Sequence, residues 1–234
     1  MLAYAIRHAE SVANVERNET VNLEAPLSSL GRRQSAALAD RFSGTAVSAI
    51  YSSPYLRCIE TAMPLATALN APIHLLPELC EFHYFSDDAV PPSAALDTFD
   101  DIMHRHTQVQ PCPDYAGAME WPPVVESQQS LANRLHNLAT LLKTRWLASD
   151  DAVVLISHGT PIARFIDAWL TGGPGQSYRF IIDNAAIAAL RHFDEVSSLI
   201  CLNDVSHLHG LPAPATANYR ADGSLKAEPA TAYH

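Results

Sequence analysis

The apolar positions of this chain form short runs that predict strands and longer periodic stretches that predict helices. The first run, Leu2–Ile6, predicts a buried strand at the start of the sequence. Two more buried strands are predicted by "AVSAIYSS" (Ala46–Ser53) and "AVVLIS" (Ala152–Ser157). Further apolar runs predict the remaining strands, at "PIHLLP", "AAIAALRHF" and "SLICL".

Four stretches between these runs have apolar side chains at helical spacing. The first is "LSSLGRRQSAALADRF", and the second is "PYLRCIETAMPLATAL", in which Pro64 predicts a kink. The third, Ser130–Ala148, is long and amphipathic, and the fourth is "PIARFIDAWL". Because strands alternate with helices, we expect a three-layer α/β/α fold with a mainly parallel central sheet.

The same pattern predicts a single domain over residues 1–210. It breaks down between Phe82 and Val125, where prolines interrupt mixed polar and aromatic residues. We interpret this range, at about residues 82–125, as an insertion or lid over a site. Residues 211–234 are rich in Ala and Pro and are predicted to form a C-terminal tail.

Composition and charge narrow the classes of function. The 234 residues are 48% hydrophobic, which is enough for a sizeable core, and the formal net charge is -10. No run of Lys or Arg offsets that charge, so nucleic acid and anionic membranes are not expected partners. The four cysteines are widely separated and form no Cys-x-x-Cys pair, and no apolar stretch approaches the roughly 18 residues of a membrane span. We therefore expect a reduced, cytoplasmic protein.

Basic side chains follow three of the predicted strands. The first strand runs into Arg7 and His8, the second is followed by Arg57, and "AVVLIS" is followed by His158. Ligands of open α/β sheets bind beyond the carboxyl ends of the strands, near helix N-termini. If these strands lie side by side, the four side chains converge on one mouth.

The residues beside these side chains are typical of strand–turn–helix junctions. Ser53 is a suitable N-cap and Pro54 suits the first helical position, which places Arg57 in the first turn. Gly159 permits a tight turn, and Thr160-Pro161 is predicted to open the next helix.

Two arginines and two histidines near helix N-termini predict a site for a dense anion, because guanidinium groups match phosphate oxygens in a bidentate manner. The sequence has no Gly-x-x-x-x-Gly-Lys loop for a nucleotide and no acidic cluster for magnesium. A neutral imidazole can attack phosphorus and hold the phosphoryl group, while the remaining cations stabilise charge on its oxygens. No cofactor is implied.

These residues resemble the signature of the histidine phosphatase superfamily, the phosphoglycerate mutase-like proteins. That signature is Arg-His-Gly-Glu/Gln-Thr followed by Asn, and here it is Arg7-His8-Ala9-Glu10-Ser11 with Asn14. Other segments similar to the family are "LSSLGRRQS", "SSPYLRCIETA", "PELCEF", "ESQQSLANRL" and "VLISHG". The resemblance runs in order from Met1 to about Leu208 and is weakest across the insertion.

The resemblance implies a role for each residue of the site. His8 is expected to be the nucleophile that accepts the phosphoryl group, and the transferring group is expected to be bound by Arg7, Arg57 and His158. Asn14 is expected at the rim of the pocket, in contact with phosphate or substrate.

The family acid follows a Leu-x-Glu pattern, which here falls on Leu79-Cys80-Glu81. Glu81 is therefore expected to protonate the leaving oxygen and then to activate water. Glu78 is close enough in sequence to be a rival for this role.

Several residues depart from the family or have simpler explanations. Ala9 stands where glycine is usual, and we interpret Glu10 as a polar loop residue or a helix-dipole partner. Asn184 and His207 are interpreted as structural. The 11 histidines suggest a metal site, but their spacing lacks the partners that a metal needs, so no metal is expected.

The resemblance implies a histidine acid-type phosphatase, a metal-independent hydrolase of small phosphomonoesters. The expected partner is a small phosphorylated metabolite, and the sequence leaves the oligomeric state open, a homodimer included. A phosphoglycerate mutase is the main enzymatic alternative, and a non-catalytic protein that binds an anion or another protein is the alternative from a different class.

Overall fold

The computed structural model describes residues 1–16, 25–82, 98–112, 126–146, 151–173 and 180–212. Within these ranges there are seven strands and six α-helices. The strands are β1 (Leu2–Arg7), β2 (Val47–Ser52), β3 (Ile73–Leu75), β4 (Val109–Pro111), β5 (Ala152–Ser157), β6 (Ile187–Phe193) and β7 (Val196–Asp204). The helices are α1 (Val12–Glu16), α2 (Ser29–Arg41), α3 (Leu56–Leu69), α4 (Phe99–Arg105), α5 (Gln128–Arg145) and α6 (Gly159–Thr171), with short 3-10 turns at Pro77–Leu79 and Ser206–Leu208.

The strands form one sheet in the order β4-β3-β2-β5-β1-β6-β7. The first five of these are mutually parallel, and β6 and β7 add an antiparallel hairpin at one edge. In the register of β1 and β5, Arg7 lies opposite Ser157, and Ser52 of β2 pairs with Ile156 of β5. The carboxyl ends of β1, β2 and β5 therefore meet at one edge, as the sequence predicted.

Apolar side chains on the two faces of the sheet form two cores. On one face, Leu135 of α5 and Phe165 of α6 pack with Leu155 of β5. On the other face, Leu38 of α2 and Ile59 of α3 belong to the second core. All six residues of β5 are buried because helices cover both faces of this central strand. The predicted three-layer α/β/α class is confirmed.

The start of α3 differs from the sequence prediction. Its N-cap is Tyr55, and the helix begins at Leu56, so the prediction of Ser53 as N-cap and Pro54 as first helical residue is wrong. The reason is that the Ser53 side chain is used in a contact between distant parts of the chain, described below. Arg57 nevertheless lies in the first turn, and the helix includes Pro64 in its interior.

The predicted insertion is described only in part. Residues 83–97 and 113–125 lie outside the described residues, and the intervening segment contains α4 and β4, which pairs with β3 at the edge of the sheet. Apart from its first two residues, the predicted tail 211–234 also lies outside them. Within the described ranges, no helix combines the length and the hydrophobicity that a bilayer crossing demands.

Candidate active site

Arg7 is the last residue of β1 and lies across the start of α6. Its Nη1 donates to the carbonyl of Ile182 at 2.8 Å. A Cβ built on Gly159 would be 3.8 Å from the Arg7 Cζ, so the guanidinium packs closely against the first residue of α6. The Arg7 Nε is buried and has no hydrogen-bond partner in the described part of the chain. This N–H is therefore a donor that an anion could use.

His8 is buried and its backbone is fixed on both sides. Its N–H donates to the carbonyl of Ser157 at 2.8 Å, and its own carbonyl accepts from the Asn184 Nδ2 at 3.0 Å. The ring Nδ1 lies 2.8 Å from the carbonyl of Ala9. Because a carbonyl only accepts, Nδ1 carries the proton, and the lone pair of the neutral ring is on Nε2.

Burial is the main cause that holds the pKa of His8 well below its usual value. The positive charges of Arg57 and Arg7 lower it further, and the hydrogen bond to Ala9 only partly opposes them. The ring is therefore neutral at pH 7 and keeps a nucleophilic nitrogen in a strongly cationic environment.

The second histidine, His158, is fully buried beside the first, with 5.2 Å between the two ring centroids. The Arg57 Nη2 lies 3.2 Å from its Nδ1, and the Ser53 Oγ lies 2.9 Å from its Nε2. A guanidinium can only donate, so Nδ1 accepts, and the Nε2–H donates to Ser53. Ser53 therefore stabilises one tautomer of His158 instead of capping α3.

Arg57 stacks on the Tyr55 ring at the start of α3. Its Cζ lies 4.7 Å from the centroid of Tyr55, which also packs edge-on against His158. Stacking and the bond to His158 fix the plane of the guanidinium. The structure thus brings together Arg7, His8, Arg57 and His158 at the edge where the strands end.

Glu81 also reaches this cluster, from the segment after the 3-10 turn Pro77–Leu79. Its Oε2 is 4.0 Å from the His158 Nδ1, its Oε1 accepts from the N–H of Phe82 at 2.9 Å, and its side chain is 29% exposed. Burial raises the pKa of Glu81, and the Phe82 bond and nearby arginines oppose that effect. Glu78, the rival for the role of the acid, is buried in the 3-10 turn. The negative charges that raise the pKa of Arg7 are those of Glu81 and Asp183.

Asn14 lies next to the segment Arg7–Ser11. Its Oδ1 accepts from the backbone N–H of Ser11 at 3.1 Å and from the Asn184 Nδ2 at 3.2 Å. With the oxygen used twice, the amide nitrogen of Asn14 is the end that can donate to a ligand. Asn184, interpreted as structural from the sequence, is the residue that joins Asn14 to the His8 carbonyl.

Thr61 of α3 is a supporting side chain that sequence reasoning missed. Its Oγ1 accepts from the N–H of Ala9 at 3.0 Å and donates to the carbonyl of Arg57 at 2.6 Å. It joins the segment that contains His8 to the helix that carries Arg57. The only sequence signal for it was its place in "SSPYLRCIETA".

The departure at Ala9 is accommodated without strain. Ala9 is not among the residues with positive φ, so its backbone does not need glycine. Its methyl group is buried in a small cluster with Leu27 and Ala185. Glu10 lies beside the N-terminus of α2, where its Oε1 accepts from the hydroxyl of the N-cap residue Ser28 at 2.7 Å.

The histidines considered for a metal site are not clustered. In the described ranges, no group of three His, Cys, Asp or Glu side chains has a geometry that could hold a metal ion. His104 is exposed, and its Nδ1 bonds to the carbonyl of Asp100 one turn earlier in α4.

Comparison with known proteins gives a consistent result. The chain matches the histidine phosphatase superfamily (branch 1) over residues 3–205. It is 25% identical to phosphoserine phosphatase 1 of Hydrogenobacter thermophilus over 204 residues, which cover 87% of this chain and 92% of that protein. It is 30% identical to the probable phosphoglycerate mutase GpmB of Proteus mirabilis over 159 residues, which cover 67% and 68%.

A solved structure supports the same relationship. The mycobacterial glucosyl-3-phosphoglycerate phosphatase, in its complex with VO3, superposes with a TM-score of 0.61 at 25% identity, covering 86% of this chain and 98% of that one. The resemblance inferred from the sequence motifs is thereby confirmed. This protein belongs to the histidine phosphatase superfamily.

Proposed function

We propose that this protein hydrolyses a small phosphomonoester, without a metal ion, through a phosphohistidine formed on His8. The observation that carries the proposal is the state of His8. Its Nδ1–H donates to the Ala9 carbonyl, so the unprotonated Nε2 is the nitrogen available to react. The positive charges of Arg7 and Arg57 act on this ring. A neutral imidazole nitrogen beside two fixed cations suits attack on the phosphorus of a dianionic ester.

In the first step, the His8 Nε2 bonds to phosphorus while the bond from phosphorus to the leaving oxygen breaks. Glu81, whose pKa burial raises, gives its proton to that oxygen. The phosphorylated ring becomes cationic, and the Ala9 carbonyl stabilises it through the Nδ1–H. Arg7 and Arg57 stabilise the charge on the equatorial oxygens.

His158 and Asn14 complete the proposed phosphate site. In the ligand-free arrangement, His158 accepts from Arg57 through Nδ1. When a phosphoryl group takes that arginine N–H, a His158 ring that carries a proton on Nδ1 can donate to the same group. The Asn14 amide nitrogen supplies a further donor.

In the second step, water attacks phosphorus and the bond to the His8 Nε2 breaks. Glu81, now ionised, takes a proton from the water, so phosphate is released and both residues return to their starting states. Membership of the superfamily and the relatives named phosphatases support phosphatase activity. The cytoplasmic location stays a prediction from the sequence.

Trapping of the covalent intermediate tests the proposal. The protein is mixed with a radiolabelled phosphomonoester and quenched, and phosphate release is followed across a panel of small phosphomonoesters. We expect an acid-labile label on wild-type protein, no label and no turnover for His8→Ala, and both label and turnover for the control His104→Ala. Dialysis against EDTA should leave the rate unchanged.

Three results would overturn the proposal. Full activity of His8→Ala contradicts the nucleophile, and strong loss after EDTA contradicts metal independence. Isomerisation of phosphoglycerate without phosphate release would instead identify a mutase, the activity that the relative GpmB is named for.

A further inference from the structure

Arg134 of α5 joins this helix to the segment that carries Glu81. Its side chain is only 10% exposed. Its Nε and Nη2 donate to the two carboxylate oxygens of Glu126, at 2.8 and 2.5 Å. Its Nη1 donates to two backbone carbonyls, those of Glu78 at 2.5 Å and Cys80 at 3.2 Å. All three nitrogens of one guanidinium are therefore bonded within the protein.

The two carbonyls lie three residues and one residue before Glu81. The carbonyl of Leu79, between them, accepts from the Ser157 Oγ of β5 at 2.6 Å. Three consecutive carbonyls, of residues 78–80, are thus held by side chains from two other elements. These bonds hold the backbone of the segment in addition to its 3-10 turn and the burial of Leu79 and Cys80, and Arg134 makes two of them.

We propose that Arg134 is a positioning residue for Glu81 as general acid. By fixing the carbonyls of Glu78 and Cys80, it holds the carboxyl group of Glu81 near His158, where a leaving oxygen is protonated. The inference rests on the proposed function, because it requires Glu81 to act as an acid.

The ion pair with Glu126 explains why arginine suits this position. One edge of the guanidinium is fixed by the carboxylate, which orients the remaining nitrogen toward the two carbonyls. A lysine could keep the charge near Glu126, but a single ammonium cannot bond to the carboxylate in bidentate fashion and to two carbonyls in this geometry.

The leaving group separates a positioning role from a merely structural one. An alkoxide leaves only when it is protonated, whereas p-nitrophenolate is stable enough to leave without an acid. A misplaced Glu81 therefore slows attack on an alkyl phosphate more than attack on p-nitrophenyl phosphate. General loss of folding or of phosphate binding slows both equally. The ratio of kcat/KM for O-phosphoserine to kcat/KM for p-nitrophenyl phosphate measures the difference, since both values report steps up to phosphorylation of His8.

The experiment compares this ratio in Arg134→Met, Arg134→Lys, the reference Glu81→Gln and the control Arg145→Met, all in the full chain. Arg145 lies on the same helix about 16 Å further along, at about 1.5 Å per residue, and is exposed. We expect the ratio to fall about 100-fold in Glu81→Gln and about 10-fold in Arg134→Met. In Arg134→Lys the ratio should fall by less than in Arg134→Met. It should be unchanged in Arg145→Met.

The possible results distinguish the inference from the function beneath it. If Glu81→Gln lowers the ratio but neither Arg134 variant does, or if both substrates slow equally in those variants, the positioning role is wrong and the acid stands. If Glu81→Gln leaves the ratio unchanged, the acid assignment fails and the inference fails with it. Arg134→Lys retains the charge opposite Glu126, so it keeps the test decisive if Arg134→Met does not fold.

Discussion

Thr61 offers the sharpest test of how the nucleophile is held. It is fully buried, and its hydroxyl accepts from the N–H of Ala9 at 3.0 Å while donating to the carbonyl of Arg57 at 2.6 Å. Thr61→Val replaces this hydroxyl by a methyl group of similar volume. The Ala9 N–H then remains buried, since Ala9 has no exposed surface, and it loses its acceptor.

The cost follows from that orphaned donor. A buried N–H without an acceptor costs about 1–3 kcal/mol, and we expect the free energy of unfolding to fall by this amount. Each kcal/mol corresponds to about 2–4 °C in Tm for a domain of this size. Because the carbonyl of Ala9 orients the His8 ring, a shift of Ala9 should also lower kcat, on the order of ten-fold.

Thr61→Ser is the matched control, because it keeps the hydroxyl and loses only a methyl group. Urea unfolding gives the midpoint and the slope for both variants, and turnover of p-nitrophenyl phosphate gives kcat. Thr61→Ser should retain most of the activity. A Thr61→Val protein with wild-type stability and kcat, or a Thr61→Ser protein as impaired as Thr61→Val, would refute the reasoning.

Three other predictions concern Ala9, the helix that packs against Glu10, and the pH dependence of the reaction. Ala9→Gly should remain active but lose about 1–2 kcal/mol, because it removes a buried methyl group and adds backbone freedom; equal or higher stability in thermal melts contradicts the packing argument. Gly31→Ala should lower the free energy of unfolding by about 3 kcal/mol and remove much of the activity, because the new Cβ would lie 1.9 Å from the carbonyl oxygen of Glu10. A stable and active Gly31→Ala protein would disprove that contact. The pH profile of kcat/KM should be bell-shaped: the lowered pKa of His8 keeps the nucleophile neutral as the pH falls below its usual range, and the raised pKa of Glu81 keeps the acid protonated above its usual range. The profile is first corrected for the substrate phosphate, whose second pKa is about 6. An acid limb at an ordinary histidine pKa would then contradict the lowered pKa of His8.

The convergence of the site could be predicted because it depends on local signals. Each buried strand is predicted by its apolar run, and the carboxyl ends of parallel strands lie at the same edge of the sheet. Arg7, His8, Arg57 and His158 each lie within a few residues of such a strand end. Glu81 follows no strand–helix junction and was identified only through the family resemblance.

The supporting bonds could not be predicted, because they join residues far apart in sequence. Ser53 has the sequence context of an N-cap, yet its hydroxyl bonds to His158, 105 residues away. Thr61 meets Ala9 across 52 residues, and Asn184 meets His8 across 176. A side chain that bonds to one distant backbone group leaves no periodic pattern, so neither helical nor strand spacing reveals it.

The segment "LSSLGRRQS" has no role in the proposed reaction steps. In the structure it holds the backbone of Glu10. The N–H of Ser28 donates to the carbonyl of Glu10 at 2.9 Å, and the Gln34 side-chain oxygen accepts from the N–H of Glu10 at 2.9 Å. Between them, Gly31 lets α2 approach the Glu10 carbonyl so closely that any side chain would collide. Glu10 is thus held at its N–H and at its carbonyl by the N-cap and the first two turns of α2. The Glu10 N–H and the Ala9 carbonyl that orients the His8 ring belong to the same peptide unit, so a change in α2 that displaces Glu10 also displaces that carbonyl. Substitutions in α2 should therefore lower kcat without contacting the phosphate, and most of all at Gly31, where an added Cβ would lie 1.9 Å from the Glu10 carbonyl oxygen.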